Sequence, residues 1–356
     1  MKIGLIGKPK CGKTTIFNAL TGLNAEVAAY STGKIEPNLG VVPVKDDRLE
    51  QLAKFYNPKK ITHTQIEFID FAGMKKSENA EIFSPASMAL IKTTDALALV
   101  AANFQSDLVD NEESSIIDDI DDIEMEFILS DLSIAENRLD NIALSKKRGI
   151  KNQKILLEEK VLTKIMAHLN EYKPVRELKL TDEEAKAVRG FQFISRKPIM
   201  VIINSDEDNF GKNESLINRL SANYKTIEFA GRFEMELKDL SQEEALAFME
   251  DLEIEQSAKQ RLTEAAYELL GYISFFTAGK KEVRAWTLKK GSNALKAADT
   301  IHSDMAKGFI RAEVFAFEDL IKLGSVKKLR EEGLIRLEGK DYIVKDGDVI
   351  LFRFNV

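Results

Sequence analysis

Gly7-Lys8-Pro9-Lys10-Cys11-Gly12-Lys13-Thr14 is the stretch on which the fold turns, because of what flanks it. Ahead of it, Lys2-Ile3-Gly4-Leu5-Ile6 is an apolar run of strand length; behind it, Thr15-Ile16-Phe17-Asn18-Ala19-Leu20 opens an amphipathic helix. Strand, glycine-bracketed loop and helix in that order fit the phosphate-binding pattern G-x-x-x-x-G-K-[ST]. Glycines let the backbone curl so that successive N–H groups point inward, and the helix N-terminus adds its positive partial charge. Gly7, Lys8, Pro9, Lys10, Cys11, Gly12, Lys13, Thr14 and Thr15 are therefore the candidate nucleotide-binding segment. Lys13 supplies the fixed cation for the outer phosphates, and Thr14 offers a hydroxyl to a Mg²⁺ that bridges them.

A chain of 356 residues exceeds one comfortable core, which predicts two or three domains. No stretch approaches the unbroken apolar length of a membrane span, and neither a basic n-region nor an apolar h-region precedes the first strand, so the expected location is cytoplasmic and the expected state monomeric. A single cysteine, Cys11, excludes an internal disulfide and reads as a small residue that fits the loop rather than as a redox centre. The net charge of −7 argues against a wholly basic nucleic-acid coat, so any such contact must be local.

Strands are predicted near 3–6, 66–70 and 97–101, with a turn-rich segment at 30–40 between the first helix and the second strand. Gln65-Ile66-Glu67-Phe68-Ile69 ends in Asp70-Phe71-Ala72-Gly73, a D-x-x-G placed where a second phosphate-sensing loop belongs. There Asp70 holds the Mg²⁺ through water and the Gly73 N–H faces the terminal phosphate. From about 112, apolar residues from Ile116 to Ile142 recur at helical spacing, and Leu157, Val161, Leu162, Ile165 and Leu169 mark a returning helix. Lys146, Lys147 and Arg148 form a basic tip between them, a candidate RNA contact whose competing reading is a solvated turn. The sheet resumes at 197–203. Asn204-Ser205-Asp206-Glu207 and Ala230-Gly231 end two late strands where nucleotide-binding folds of this type hold the base, with Ser205 in place of a base-packing lysine and Glu207 in the guanine-reading position. Asn204 has the amide to serve the Hoogsteen edge of a purine. The last eighty residues read as a small strand-rich module with sixteen basic against twelve acidic residues from Thr277 onward, a locally basic segment.

The chain resembles the YchF, or Obg-like ATPase, family of P-loop NTPases. The segments that carry the likeness are Ile35-Glu36-Pro37-Asn38-Leu39-Gly40-Val41-Val42-Pro43-Val44, Phe276-Thr277-Ala278-Gly279-Lys280-Lys281-Glu282-Val283-Arg284-Ala285-Trp286-Thr287, Ile301-His302-Ser303-Asp304-Met305-Ala306-Lys307-Gly308-Phe309-Ile310-Arg311-Ala312-Glu313 and Glu338-Gly339-Lys340-Asp341-Tyr342-Ile343-Val344. The resemblance implies an α/β G domain, mostly parallel sheet with helices on both faces, over 1–112 and 191–274. It further implies an inserted antiparallel helical hairpin over 113–190 and a β-grasp TGS domain over 275–356. It also implies ATP in preference to GTP, Phe104 stacked on the base, and association with ribosomes or RNA.

Several positions depart from the family. Lys34 stands where the family has a threonine that ligates Mg²⁺, Met74-Lys75-Lys76-Ser77-Glu78-Asn79 replaces a glycine-rich continuation after Gly73, and the family's histidine after the third strand has no counterpart between Phe104 and Asp118. Lys34 is a candidate catalytic residue beside Lys13, as a cation near the terminal phosphate. The expectation is a Mg²⁺-dependent purine-nucleotide binder that hydrolyses ATP slowly; the rival readings are a non-catalytic nucleotide-binding adaptor and a GTP-specific switch.

Overall fold

The computed structural model describes residues 1–23, 37–71, 82–104, 113–149, 152–241, 243, 244, 247, 249 and 256–355. They fall into two compact units: Met1–Gly40 with Glu67–Lys259, and Val41–Ile66 with Gln260–Val356.

The sheet of the first unit runs in the spatial order β2 (Asn38–Pro43), β4 (Gln65–Asp70), β1 (Lys2–Ile6), β5 (Ala96–Asn103), β6 (Ile199–Ser205), β7 (Lys225–Phe229). β1 is parallel to β4 and to β5, β5 to β6, and β6 to β7. Parallel neighbours need crossover connections, and the crossing helices bury both sheet faces; β5 and β6 are accordingly buried at every position. This is why 96–103 and 199–205 read as unbroken small and apolar runs instead of alternating ones. The α1 helix (Lys13–Thr21) follows the loop directly, burying Ile16, Phe17 and Leu20, and ends at Gly22, whose φ of 74° closes the last turn onto the Asn18 carbonyl.

The predicted hairpin is present as α4 (Glu113–Lys147) and α5 (Gln153–Leu169), the latter started by Asn152, whose side chain accepts from the Ile155 N–H. Its long apolar stripe serves two cores. Ile116, Ile120, Ile123 and Phe127 pack with Leu97, Leu99, Val201 and Ile203 of the sheet, whereas Ile128, Ala135 and Ile142 pack with Val161, Leu162 and Ile165 of α5. At 35 residues α4 is about 52 Å long, so one end lies on the sheet while the other carries the tip. The two halves meet at Asp131, a buried carboxylate that accepts from the Ile194 N–H at 3.0 Å and from the Ser195 N–H and hydroxyl at 2.8 and 2.7 Å. Burial pushes its pKa up to about 6 against the pull of those donors.

The second unit does not coincide with the expected C-terminal domain, because residues 41–66 belong to it. Its six-stranded sheet runs β11 (Arg336–Glu338), β10 (Phe309–Ala316), β12 (Asp348–Phe354), β8 (Tyr272–Ala278), β9 (Val283–Lys289), β3 (Ile61–Thr62), with β12 parallel to β8, β3 parallel to β9, and the other neighbours antiparallel. The early α2 helix (Asp47–Tyr56) inserts Leu49 and Leu52 among Phe276, Val283, Phe315, Phe317 and Leu320. Arg48 is bonded to Asp346 at 2.6 Å and lies over the Phe276 ring. Sequence spacing placed these residues in the nucleotide-binding domain, whereas tertiary pairing places them here. Among the described residues no helix is long and apolar enough to cross a membrane.

Candidate functional site

The loop after β1 is closed by backbone geometry that only glycine tolerates. At Gly7 (φ 150°) a Cβ would meet the Val100 carbonyl oxygen at 2.4 Å, and at Gly12 (φ 92°) it would meet the Asn204 amide nitrogen at 2.1 Å. Inside the loop the Lys13 ammonium donates to the carbonyls of Gly7 at 3.0 Å and Lys8 at 2.8 Å, a position from which phosphate oxygens compete for the same charge. Cys11 is buried beneath Gly7. Burial pushes its thiol up against the opposing pull of Lys13.

Thr14 and Asp70, predicted as the metal pair, are brought together: the Thr14 hydroxyl donates to Asp70 Oδ2 at 2.9 Å. Asn38, which the sequence reading quoted but gave no role, reaches the same oxygen at 3.4 Å. Asp70 is fully buried, and its Oδ1 has no hydrogen-bond partner among the described residues. Burial raises its pKa, opposed by Thr14, Asn38 and Lys13. A buried, unpartnered carboxylate oxygen beside a hydroxyl and a phosphate-binding loop fits a hydrated divalent cation of the Mg²⁺ type, which takes hard oxygen donors and keeps several waters.

The base-side residues are placed differently from expectation. Asn204 turns into the protein: its amide nitrogen donates to the Cys11 carbonyl at 3.0 Å and its oxygen accepts from the Gly231 N–H at 3.2 Å. It ties the phosphate loop to the end of β6 and to the start of α6 (Gly231–Asp239), leaving one amide hydrogen for any base. Ser205 is also buried, donating to Glu228 at 2.7 Å and accepting from Asn103 at 3.0 Å, with Asn213 bonded to the same carboxylate. Its side chain is therefore absent from the surface where a lysine stem would pack on a base. Glu207 is exposed, and Phe104 is half-buried with a ring edge 4.0 Å from where a Gly12 Cβ would stand, beside the loop. Lys34 and Gly73, together with 74–79, lie outside the described residues.

Asp119 and Asp122, not singled out from the sequence, join the site through Lys8. Lys8 sends its side chain away from the loop to Asp119 at 2.5 Å and Asp122 at 2.8 Å on α4. The run Asp118-Asp119-Ile120-Asp121-Asp122 was the visible signal, since acidic residues one helical turn apart present paired carboxylates on one face. At the tip, Lys147 and Arg148 are exposed, while Lys146 is paired with Glu159 of α5.

Residues 2–138 match the family model described as 50S ribosome-binding GTPase, and residues 272–355 match the YchF-GTPase C-terminal model, described as a protein of unknown function. The chain is 39% identical over 363 residues to the ribosome-binding ATPase YchF of Bacillus subtilis, covering 99% of each. It is 41% identical over 362 residues to the protein of the same name from Haemophilus influenzae, covering 100% of this chain and 99% of that one. The chain belongs to the YchF family. It is thus a P-loop NTPase, and the solved Schizosaccharomyces pombe YchF GTPase superimposes with a TM-score of 0.85 at 26% identity over 99% of this chain and 97% of the other. The likeness spans residues of both units.

Proposed function

We propose that this YchF member is a Mg²⁺-dependent purine-nucleotide binder that prefers ATP to GTP, hydrolyses it slowly, and associates with ribosomes or RNA. The observation that carries the reading is the Thr14–Asp70 pair, with a carboxylate oxygen that has no partner among the described residues, at the foot of a closed loop whose lysine caps two carbonyls. A bound Mg²⁺ there would neutralise charge on the phosphate oxygens. Thr14 and Asp70 would hold it, Lys13 would move from the Gly7 and Lys8 carbonyls to the phosphates, and the backbone N–H groups from Cys11 to Thr14 would cradle them. Ser205, turned inward where a packing lysine would serve guanine, supports ATP, while Phe104 beside Gly12 would stack on a purine of either kind. The relatives are named ATPase in two bacteria and GTPase in a yeast, so the base is the point to test.

Slow hydrolysis follows from the sequence around the loops: Met74 stands where a water-orienting glutamine acts in Ras-like GTPases, and no histidine occupies 105–117. Lys34 is proposed as a partial electrostatic substitute. The same departures favour the second reading, a non-catalytic nucleotide-binding adaptor. For the partner, the exposed Lys147 and Arg148 at the tip and the basic C-terminal segment, read as a TGS domain, suit a phosphate backbone. The test is competition of ATP and GTP for the site at equal Mg²⁺, followed by phosphate release at saturating ATP with Lys13→Ala as control. Tighter ATP binding and Lys13-dependent release well below roughly 1 s⁻¹ support the reading. Tighter GTP binding overturns the base preference, and release no faster than the Lys13→Ala control selects the adaptor.

A further inference from the structure

We propose that Asp119 and Asp122, on the inserted α4 helix, are positioning residues for the phosphate-binding loop and act through Lys8. This rests on the loop binding nucleotide as argued above. Lys8 belongs to two networks at once. Its carbonyl is one of the two that the Lys13 ammonium caps inside the loop, while its own ammonium is held outside by the two aspartates. Movement of the Lys8 side chain is therefore transmitted to a backbone group in the site through a single residue. The carboxylates win over the burial that by itself would favour a neutral amine, so Lys8 stays charged.

The aspartates are mounted on a fixed rail. Ile116, Ile120, Ile123 and Phe127 of the same helix segment are buried against the sheet, and Phe127 stacks on Phe83 with ring centroids 5.5 Å apart. One turn beyond Asp122, the Glu126 carboxylate accepts from the backbone N–H groups of Ile82 at 2.6 Å and Phe83 at 2.7 Å. The sheet end of α4 therefore grips the chain at two places, through Lys8 after β1 and through Ile82 and Phe83 ahead of α3 (Pro85–Ile91). Its far end carries the basic tip on the same continuous helix. The insertion is placed to brace the loop from outside, and a partner gripping the tip gains a lever on it. The competing account is that these are solvated ion pairs without consequence, which partial exposure of Lys8 and Asp122 makes the natural alternative.

Charge separates the two accounts by sign. Asp119→Asn with Asp122→Asn removes two negative charges near a site for a polyanion, so through-space electrostatics alone slows nucleotide release. Loss of a brace speeds it. The experiment is stopped-flow displacement of a fluorescent ADP analogue from the full-length protein by excess ADP, for the double aspartate variant, Lys8→Met and the triple combination, with thermal melts of each. The expected result is release about three- to tenfold faster in the double variant and in Lys8→Met, with no further acceleration in the triple variant. Should the double variant fail to fold, Asp119→Asn alone carries the test, with the same direction expected. Slower or unchanged release, or effects that multiply in the triple variant, overturn the proposal. Failure of the unaltered protein to bind the analogue overturns the nucleotide reading beneath it as well.

Discussion

Replacing Asn204 by alanine distinguishes a residue that reads the base from one that holds the site together. In the structure its amide spends a donor on the Cys11 carbonyl and its acceptor on the Gly231 N–H, and the side chain is buried. Asn204→Ala deletes both bonds and leaves a carbonyl and an N–H buried without partners. Each hydrogen bond is worth about 1 kcal/mol net, and each stranded buried group costs roughly 1–3 kcal/mol unless water enters. The cleared space above Gly12, where the Asn204 nitrogen now stands 2.1 Å from a notional Cβ, gives water some access, so about 3 kcal/mol is the working figure. For a unit of this size that lowers the unfolding midpoint by about 6–12 °C without any nucleotide present. Because the lost tie disorders the phosphate loop, affinity for ATP and for GTP falls together. The assays are a thermal melt of the ligand-free variant and parallel titrations with the two nucleotides. An unchanged melt combined with an altered ratio of ATP to GTP affinity would refute the tie and restore Asn204 as a base reader.

Asp131 makes stability depend on pH in the direction opposite to an ordinary paired carboxylate. Its folded pKa of about 6 lies above the unfolded value, so the folded state binds the extra proton and the contribution to stability is full below about pH 4 and is lost as pH rises through 6. The melting difference between the native protein and Asp131→Asn therefore shifts against the native protein between pH 4 and pH 7; a difference that is flat, or that moves in its favour, defeats the argument. For the tip, Lys147→Ala with Arg148→Ala should weaken ribosome or RNA association and reduce the slope of log affinity against log salt by about 1.5, as measured by co-sedimentation across a salt series. Lys146→Ala, which breaks the pair with Glu159, should mainly affect the hairpin's stability. Equal salt slopes for the double variant and the native protein would assign those charges to solvent.

What could be read from the sequence was what is local. The phosphate loop was legible because strand, glycines, lysine and helix lie within twenty residues, and Thr14 with Asp70 because each sits at the end of an element whose order in a parallel sheet is constrained. The helical spacing of α4 and α5 was equally plain, but periodicity says only that a face is buried, not what covers it, so the division of the stripe between sheet and hairpin escaped. Asn204 and Ser205 were legible as the end of a strand, but the direction of their side chains was not. A side chain at a strand end can face the ligand or the protein, and the choice here was made by distant partners, Cys11 and Gly231 for one, Asn103 and Glu228 for the other. Lys146 was counted as solvent-facing because its partner Glu159 lies on the returning helix.

The assignment of 41–66 to the second unit bears on how the chain is made. Leu49 and Leu52 leave the ribosome early, but the strands that bury them, from Phe276 to Val349, are synthesised last. With 356 − 66 = 290 residues still to come, at the roughly 5–20 residues per second of translation the α2 helix waits about 15–60 s for its core. During that interval its apolar face is open to chaperones or to neighbouring chains, whereas the phosphate loop and α1 need only β4 and β5 to begin packing. A nascent chain halted near residue 260 would then carry the nucleotide-binding sheet together with an exposed, amphipathic α2, and release of the last hundred residues is what ends that exposure.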